Sequence, residues 1–240
     1  MTLKKLGAVL LLVFLIAFSI YKIATYPYLT KEEKALIKTY DLDKEELPEP
    51  IQEDCKAETF EVNFENYRIE FTKLASYDIT GRVEAYRNYS TFFMRTDNNH
   101  STYICNAISP RDLVLSWGDI SSNKNHGLIK YKNQNPFESR YVELDIDSKL
   151  LGIHPMYYIM YHTSNNHVIT VGNEKAEKRL MSLKKGDIVR ITGYLVEANY
   201  YLGTRKVGSW GPSSLTRRDY NTPTSCEILY VENLVKMKKK

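Results

Sequence analysis

Two stretches decide the fold: YDITGRVEAY at residues 77–86 and VRITGYL at residues 189–195. In the first, Tyr77, Ile79, Gly81, Val83 and Ala85 alternate with Asp78, Thr80, Arg82, Glu84 and Tyr86. Alternation with one apolar face is the pattern of a half-buried strand. In the second, Val189, Ile191, Gly193 and Leu195 alternate with Arg190, Thr192 and Tyr194 in the same way. Both contain Ile-Thr-Gly, then a basic or aromatic residue, then Val or Leu. A glycine inside a strand marks a bulge or a tight bend.

Outward from these words, residues 226–235 (CEILYVENLV) read as a further strand. Residues 174–183 (EKAEKRLMSL) read as a helix with Ala176, Leu180 and Leu183 on one side, and Lys184 to Asp187 as a turn. Strands, then a helix, then two closing strands is the order of a Greek-key barrel of the oligonucleotide/oligosaccharide-binding (OB) type. Residues 97–160 exceed what a minimal barrel holds and predict an elaboration. The expected fold class is mainly β (α+β): an N-terminal transmembrane helix, a short helix with an acidic linker, and an elaborated OB-like β-barrel. The corresponding boundaries are 1–25, 26–54 and 55–240.

The chain has 240 residues, enough for one sizeable domain with an appendage, and its 11 Gly and 8 Pro exclude collagen-like character. The net charge of +4 hides an asymmetry. Residues 1–30 carry three lysines and no acid, residues 31–70 carry 6 basic and 13 acidic side chains, and residues 71–240 carry an excess of 8 positive charges. A basic domain behind an acidic spacer attracts anionic partners.

Residues 6–21 (LGAVLLLVFLIAFSIY) carry no charge, with Lys4 and Lys5 before them and Lys22 after. This predicts a single-pass inner-membrane anchor, extended by Ile23, Ala24 and Tyr26, with its N-terminus in the cytoplasm and the remainder extracytoplasmic. Cleavage as a signal peptide after Ser19 is the alternative, and it also exports the rest. Thr30-Lys31-Glu32-Glu33 reads as a capping box before Leu36, Ile37 and Tyr40. Residues 41–54, with Pro48 and Pro50 among acids, read as an extended spacer, and Lys238 to Lys240 as a frayed end. Three cysteines suit an exported protein with at most one disulfide, Cys105 with Cys226 being the expected pair; Cys55 is then left over.

His154, His162 and His167 fall close together, and His162-Thr163-Ser164-Asn165-Asn166-His167 reads as strand, turn, strand. His162 and His167 with Asp119 or Asp219 form a candidate site for a transition metal such as zinc, although the spacing matches no zinc-enzyme motif. Residues 208–219 (GSWGPSSLTRRD) combine backbone bends with hydroxyls and charge. There Trp210, Ser213, Ser214, Arg217 and Asp219, with Trp117 and Asp119 from the similar word Ser116-Trp117-Gly118-Asp119, are candidate binding residues for an anion or polymer. Ser109-Pro110-Arg111-Asp112 reads as a structural cap and first helical turn. Standard catalytic words are absent, and a serine nucleophile requires Ser213 or Ser214 to meet His162 or His167 and Asp219 in space.

At Asp112 through Gly118, at His162 through His167, and at Trp210 through Asp219 followed by Cys226-Glu227, the chain resembles a group of bacterial membrane-anchored proteins of unknown function. The resemblance implies an exported single domain behind one anchor helix and supplies no reaction. The functional expectation is a non-enzymatic, membrane-anchored module that binds an envelope protein or anionic polymer and carries no cofactor. A metal-dependent hydrolase built on His162 and His167 is the first alternative. Single-stranded nucleic-acid binding on the OB surface, helped by the basic domain, is the second.

Overall fold

The structure, a computed structural model, describes residues 12–13, 29–89, 100–132, 143–212, 215 and 226–240. The chain divides into two compact units, Met1–Ala35 and Leu36–Lys240. In the first, a short helix α1 (Lys31–Ala35) begins on the expected capping box. Glu33 N–H donates to Thr30 Oγ1 at 3.1 Å, and Thr30 N–H donates to Glu33 Oε2 at 2.7 Å. Two amide donors that the helix cannot satisfy internally are thereby paired.

The anchor expectation is corrected here. Among the described residues no helix is long and apolar enough to cross a membrane. Leu12 and Val13 are helical, and the rest of the apolar stretch lies outside the described residues. The membrane partner, the inner-membrane single-pass topology and the extracytoplasmic placement all rested on that helix and are withdrawn with it.

The second unit runs β1 (Thr39–Tyr40), β2 (Ile51–Asp54), β3 (Thr59–Phe64), β4 (Tyr67–Asn88), α2 (His100–Ile108), β5 (Arg111–Ser116), β6 (Ile129–Tyr131) and β7 (Leu144–Ile146). It continues through α3 (Ser148–Ile153), α4 (Met156–Tyr161), β8 (Thr163–Ile169), α5 (Glu174–Ser182), β9 (Ile188–Leu202), β10 (Arg205–Trp210), β11 (Cys226–Lys236) and β12 (Lys238–Lys239). Eight strands form one sheet in the order β10-β9-β11-β8-β5-β4-β2, with β3 on β4 and a further pairing of β9 with β4. The β11–β8 pair is parallel, and the other pairs of this sheet are antiparallel.

The two Ile-Thr-Gly words lie against each other. Ile79 stands opposite Ile191, Tyr77 opposite Gly193 and Gly81 opposite Val189. The flanking polar residues meet as well: Arg190 Nη2 donates to Asp78 Oδ2 at 2.6 Å and Nε to Oδ1 at 3.0 Å. The glycines are required by the closeness of the strands. A Cβ on Gly193 would stand 2.0 Å from Tyr230 O, and one on Gly81 would stand 2.9 Å from Leu115 Cβ. Strand β4 bends at irregularities between Lys73 and Ala75 and between Val83 and Ala85, which lets one 22-residue strand serve several partners.

The OB-like barrel is corrected as well. Strands β9, β11, β8, β5 and β4 meet in a ring through the β9–β4 pairing, but β2, β3 and β10 lie outside it and leave edges, so the sheet as a whole is not a closed barrel. Nor is the acidic segment a detached spacer: β2 pairs with β4, Leu47 bridges to Gly118, and Tyr40, Leu42 and Leu47 are buried. The terminal lysines are paired rather than frayed, since β12 runs parallel to β1. Residues 111–116, read as the continuation of a helical turn after Pro110, are the buried strand β5.

Helix α5 is held at both ends. Asn173 Oδ1 accepts from Ala176 N–H at 3.0 Å, while its Nδ2 donates to Val231 O at 3.2 Å and Glu232 O at 3.1 Å. At the other end, buried Arg111 donates through Nη1 to Leu180 O at 2.9 Å and Leu183 O at 3.0 Å. A cation satisfying the last carbonyls suits both their lone pairs and the negative end of the helix.

Two apolar clusters matter for the site. One gathers Ile69, Phe71, Ile104, Ile169, Val196 and Ile228. The other gathers Ala85, Val114, Ile129, Leu150 and Ile159 around Tyr131. Each buried aliphatic side chain contributes roughly 1.5–3 kcal/mol by removal from water.

Candidate functional site: a thiol, an imidazole and a buried carboxylate

Between these clusters the sheet carries a row of polar residues. Arg87 on β4 stands opposite Asp112 on β5, Asp112 opposite His167 on β8, and His167 beside Ile228 on β11. Because side chains two apart share a strand face, Cys226 projects on the same side as Ile228, beside Asn165 in the parallel register. Three chain segments far apart in sequence thus deliver a carboxylate, an imidazole and a thiol to one place.

His167 Nδ1 lies 2.8 Å from Asp112 Oδ2, and both side chains are almost wholly buried. Tyr89 Oη donates to the same carboxylate oxygen at 2.7 Å. On the neighbouring strand the Cys226 thiol stands near enough to His167 to add to its basicity. Asn165 Nδ2 donates to Cys226 Sγ at 3.3 Å, and Tyr131 Oη donates to Asn165 Oδ1 at 2.6 Å. The Trp210 ring covers the imidazole, with centroids 4.9 Å apart and planes tilted by 50°. Cys226 itself is half-buried, at the edge of an otherwise buried cluster.

The electrostatics follow from burial. An isolated carboxylate in this setting costs several kcal/mol, so Asp112 requires a cation and donors. Burial alone depresses the basicity of His167. The Asp112 charge and hydrogen bond outweigh it, with Cys226 adding, and the imidazole is pushed up to about 9. Burial also pushes the Tyr131 phenol well up, with the Asp112 charge next in effect, so it remains a hydroxyl donor. The ensemble has the parts of nucleophilic catalysis: a thiol, a proton carrier on the neighbouring strand, and a group that orients the carrier.

Other expected site residues go elsewhere. His162 and His167 do not converge, because residues 163–169 form one continuous strand with no turn at Asn165-Asn166. His162 Nδ1 lies 2.8 Å from Tyr158 O, and its ring stacks on Tyr158 at 4.0 Å. Among the described residues no group of three or more His, Cys, Asp or Glu can hold a metal ion. The transition-metal site and the metal-dependent hydrolase are corrected accordingly. Asp119 is occupied by His154 Nε2 at 3.0 Å and Lys124 Nζ at 3.1 Å. Trp117 is fully buried, which removes it from direct contact with a ligand. Ser213, Ser214, Arg217 and Asp219 lie outside the described residues. Of the candidate binding residues that are described, Trp210 is the one seated at the cluster.

The expected Cys105–Cys226 disulfide is not formed, and Cys55, Cys105 and Cys226 are all thiols. Cys105 Sγ lies 3.3 Å from Tyr200 Oη, among the apolar cluster of Ile104 and Ile108. The single-stranded nucleic-acid reading falls with the closed barrel it required, and the envelope-module reading falls with the anchor.

Sequence reasoning passed over Asp112, Tyr89 and Tyr131, and took Cys226 for half of a disulfide. No spacing links these residues. One local signal was available: a strand of Ser164, Asn165, Asn166 and His167 places four polar side chains in a buried position. That signal has meaning only once the segment is read as a strand, because buried polar groups demand partners.

Comparison of the chain with protein-family models, with curated proteins and with solved structures finds no match. The resemblance to bacterial membrane-anchored proteins is therefore not supported.

Proposed function

We propose that this protein is a thiol enzyme of the acyl-transfer class, with Cys226 as nucleophile, His167 as proton carrier and Asp112 as the group that orients it. The observation that carries the reading is that His167 Nδ1 lies 2.8 Å from the buried Asp112 carboxylate while Cys226 stands on the neighbouring strand, its thiol bound by Asn165, two residues before His167. With Nδ1 turned to the carboxylate, Nε2 is the ring nitrogen available to the thiol.

The chemistry balances within the site. Sγ attacks an acyl carbon, and the thiol proton passes to His167. The bond to the leaving group breaks as that group takes the proton from His167, leaving a thioester on Cys226. Water or another acceptor then attacks the thioester and gives its proton to His167, which returns it to the departing sulfur. Because the His167 imidazole is pushed up to about 9, it is able to take the thiol proton only as the pH approaches that value, so acylation is expected to rise with pH towards 9. Tyr89, bonded to Asp112, fixes the carboxylate, and Trp210 shields the imidazole from water.

The test uses the full chain with two probes, iodoacetamide and p-nitrophenyl acetate, with modified residues mapped by peptide mass. The expected result is preferential labelling of Cys226 by both, a burst of nitrophenolate, and a drop of at least about tenfold in acylation for His167→Gln. Labelling of Cys226 no faster than of half-buried Cys55, or no effect of His167→Gln, sinks the proposal.

A further inference from the structure

Asn165 and Tyr131 form a chain of contacts that ends on the sulfur. Asn165 stands opposite Cys226 in the β8–β11 register, and its Nδ2 is 3.3 Å from Sγ. Its Oδ1 is committed to the Tyr131 hydroxyl at 2.6 Å. Both side chains are buried, Asn165 at 8% exposure and Tyr131 at 5%. Tyr131 comes from a separate two-stranded sheet, β6 with β7, and packs in the cluster with Val114, Ile129, Leu150 and Ile159. An amide reverses its donor and acceptor ends by flipping. Here the Tyr131 hydroxyl donates to Oδ1, and the NH₂ end points at Sγ.

We propose that Asn165 Nδ2 is the donor that stabilises the oxyanion formed when an acyl group is attacked by Cys226, and that Tyr131 is the positioning residue that holds that amide in the donating orientation. This rests on the thiol-enzyme reading above and assigns it a further catalytic residue. When the acyl carbon bonds to Sγ, its oxygen lies one bond beyond the carbon, in the shell around the sulfur. A donor already 3.3 Å from Sγ sits at the edge of that shell. The site is largely dry, so a neutral donor there acts without competing water and needs no reorganisation. Asn165 is held by backbone pairing on both sides, to Val114 of β5 and Cys226 of β11, which keeps the donor still during the reaction.

Two reactions of the same sulfur separate this role from a structural one. Alkylation by iodoacetamide displaces iodide at a saturated carbon and forms no oxyanion. Acylation by p-nitrophenyl acetate forms one. Asn165→Ala is expected to slow acylation of Cys226 on the order of 100-fold while alkylation changes by less than about threefold. Tyr131→Phe, which keeps the ring in its apolar cluster and removes only the hydroxyl, is expected to slow acylation about tenfold and leave alkylation alone. It also covers the case in which Asn165→Ala fails to fold.

Equal loss of both reactions in Tyr131→Phe, or unchanged acylation in either variant, overturns this assignment and leaves the thiol-enzyme reading intact. Failure of the wild-type protein to acylate at Cys226, or acylation indifferent to His167→Gln, overturns that reading and this assignment together.

Discussion

His167 and Asp112 face each other across two adjacent antiparallel strands, β8 and β5, with Nδ1 and Oδ2 2.8 Å apart. Both are almost wholly buried, so their mutual attraction is little screened by solvent. Around them stand Arg87 and Tyr89 at the end of β4, Tyr131 of β6 and Cys226 of β11.

The first prediction is a pH dependence of stability with a definite sign. Against the burial that lowers it, Asp112 holds the folded-state value of His167 at about 9, above the ordinary 6.5. The folded state therefore binds a proton more tightly than the unfolded chain does. The stabilisation is fully present below about 6.5 and is lost as pH rises through about 9. Urea midpoints measured from pH 6 to pH 10 are expected to fall over that window, and Asp112→Asn is expected to flatten the fall. A midpoint that rises over the same window contradicts the assignment.

A second prediction concerns the C-terminal end of α5. Arg111→Met keeps the side-chain bulk, but it leaves Leu180 O and Leu183 O without their guanidinium donor and removes the contact of Arg111 Nε with Asn88 Oδ1. Breaking a buried charged hydrogen-bond set of this kind costs about 3 kcal/mol. Exposed Arg205→Met serves as the control and is expected to stay within about 0.5 kcal/mol. Equilibrium denaturation of the two variants compares them directly.

The other end of the same helix supplies a smaller effect. Asn173→Ala deletes the acceptor for Ala176 N–H and the donors to Val231 O and Glu232 O. Loss of an N-cap costs about 1 kcal/mol, and the lost tie to β11 adds to it. Amide exchange is expected to quicken in the first turn of α5 before the rest of the domain responds.

A fourth prediction tests strand spacing. Gly193→Ala places a methyl 2.0 Å from Tyr230 O, a backbone atom that moves only if β9 and β11 separate. The cost is expected to exceed about 2 kcal/mol. Gly152→Ala, where nothing lies within 4 Å of the added methyl, is expected to be neutral or mildly stabilising. Thermal unfolding of the pair distinguishes local crowding from a general intolerance of substituted glycines.

The strands at 77–86 and 189–195, the helix at Glu174–Ser182 and the strand from Cys226 were legible because each is a local pattern. Period-two alternation and the spacing of helix formers are written in neighbouring residues. Pairing partners were not legible. Nothing in the order of the residues says that the two Ile-Thr-Gly words cross at Ile79 and Ile191, or that Leu47 returns to Gly118. The anchor reading used hydropathy alone, and no described helix carries it.

The candidate site shows the division most clearly. Residue order was enough to place histidines, asparagines and a cysteine in strand-like segments. Only the sheet register could bring Asp112, His167 and Cys226, from three strands, onto one face, and it sent His162 to Tyr158 instead. The physical reason is range. Backbone periodicity is set by the few residues on either side, whereas a buried carboxylate, an imidazole and a thiol interact over a few ångströms of space across more than a hundred residues of chain.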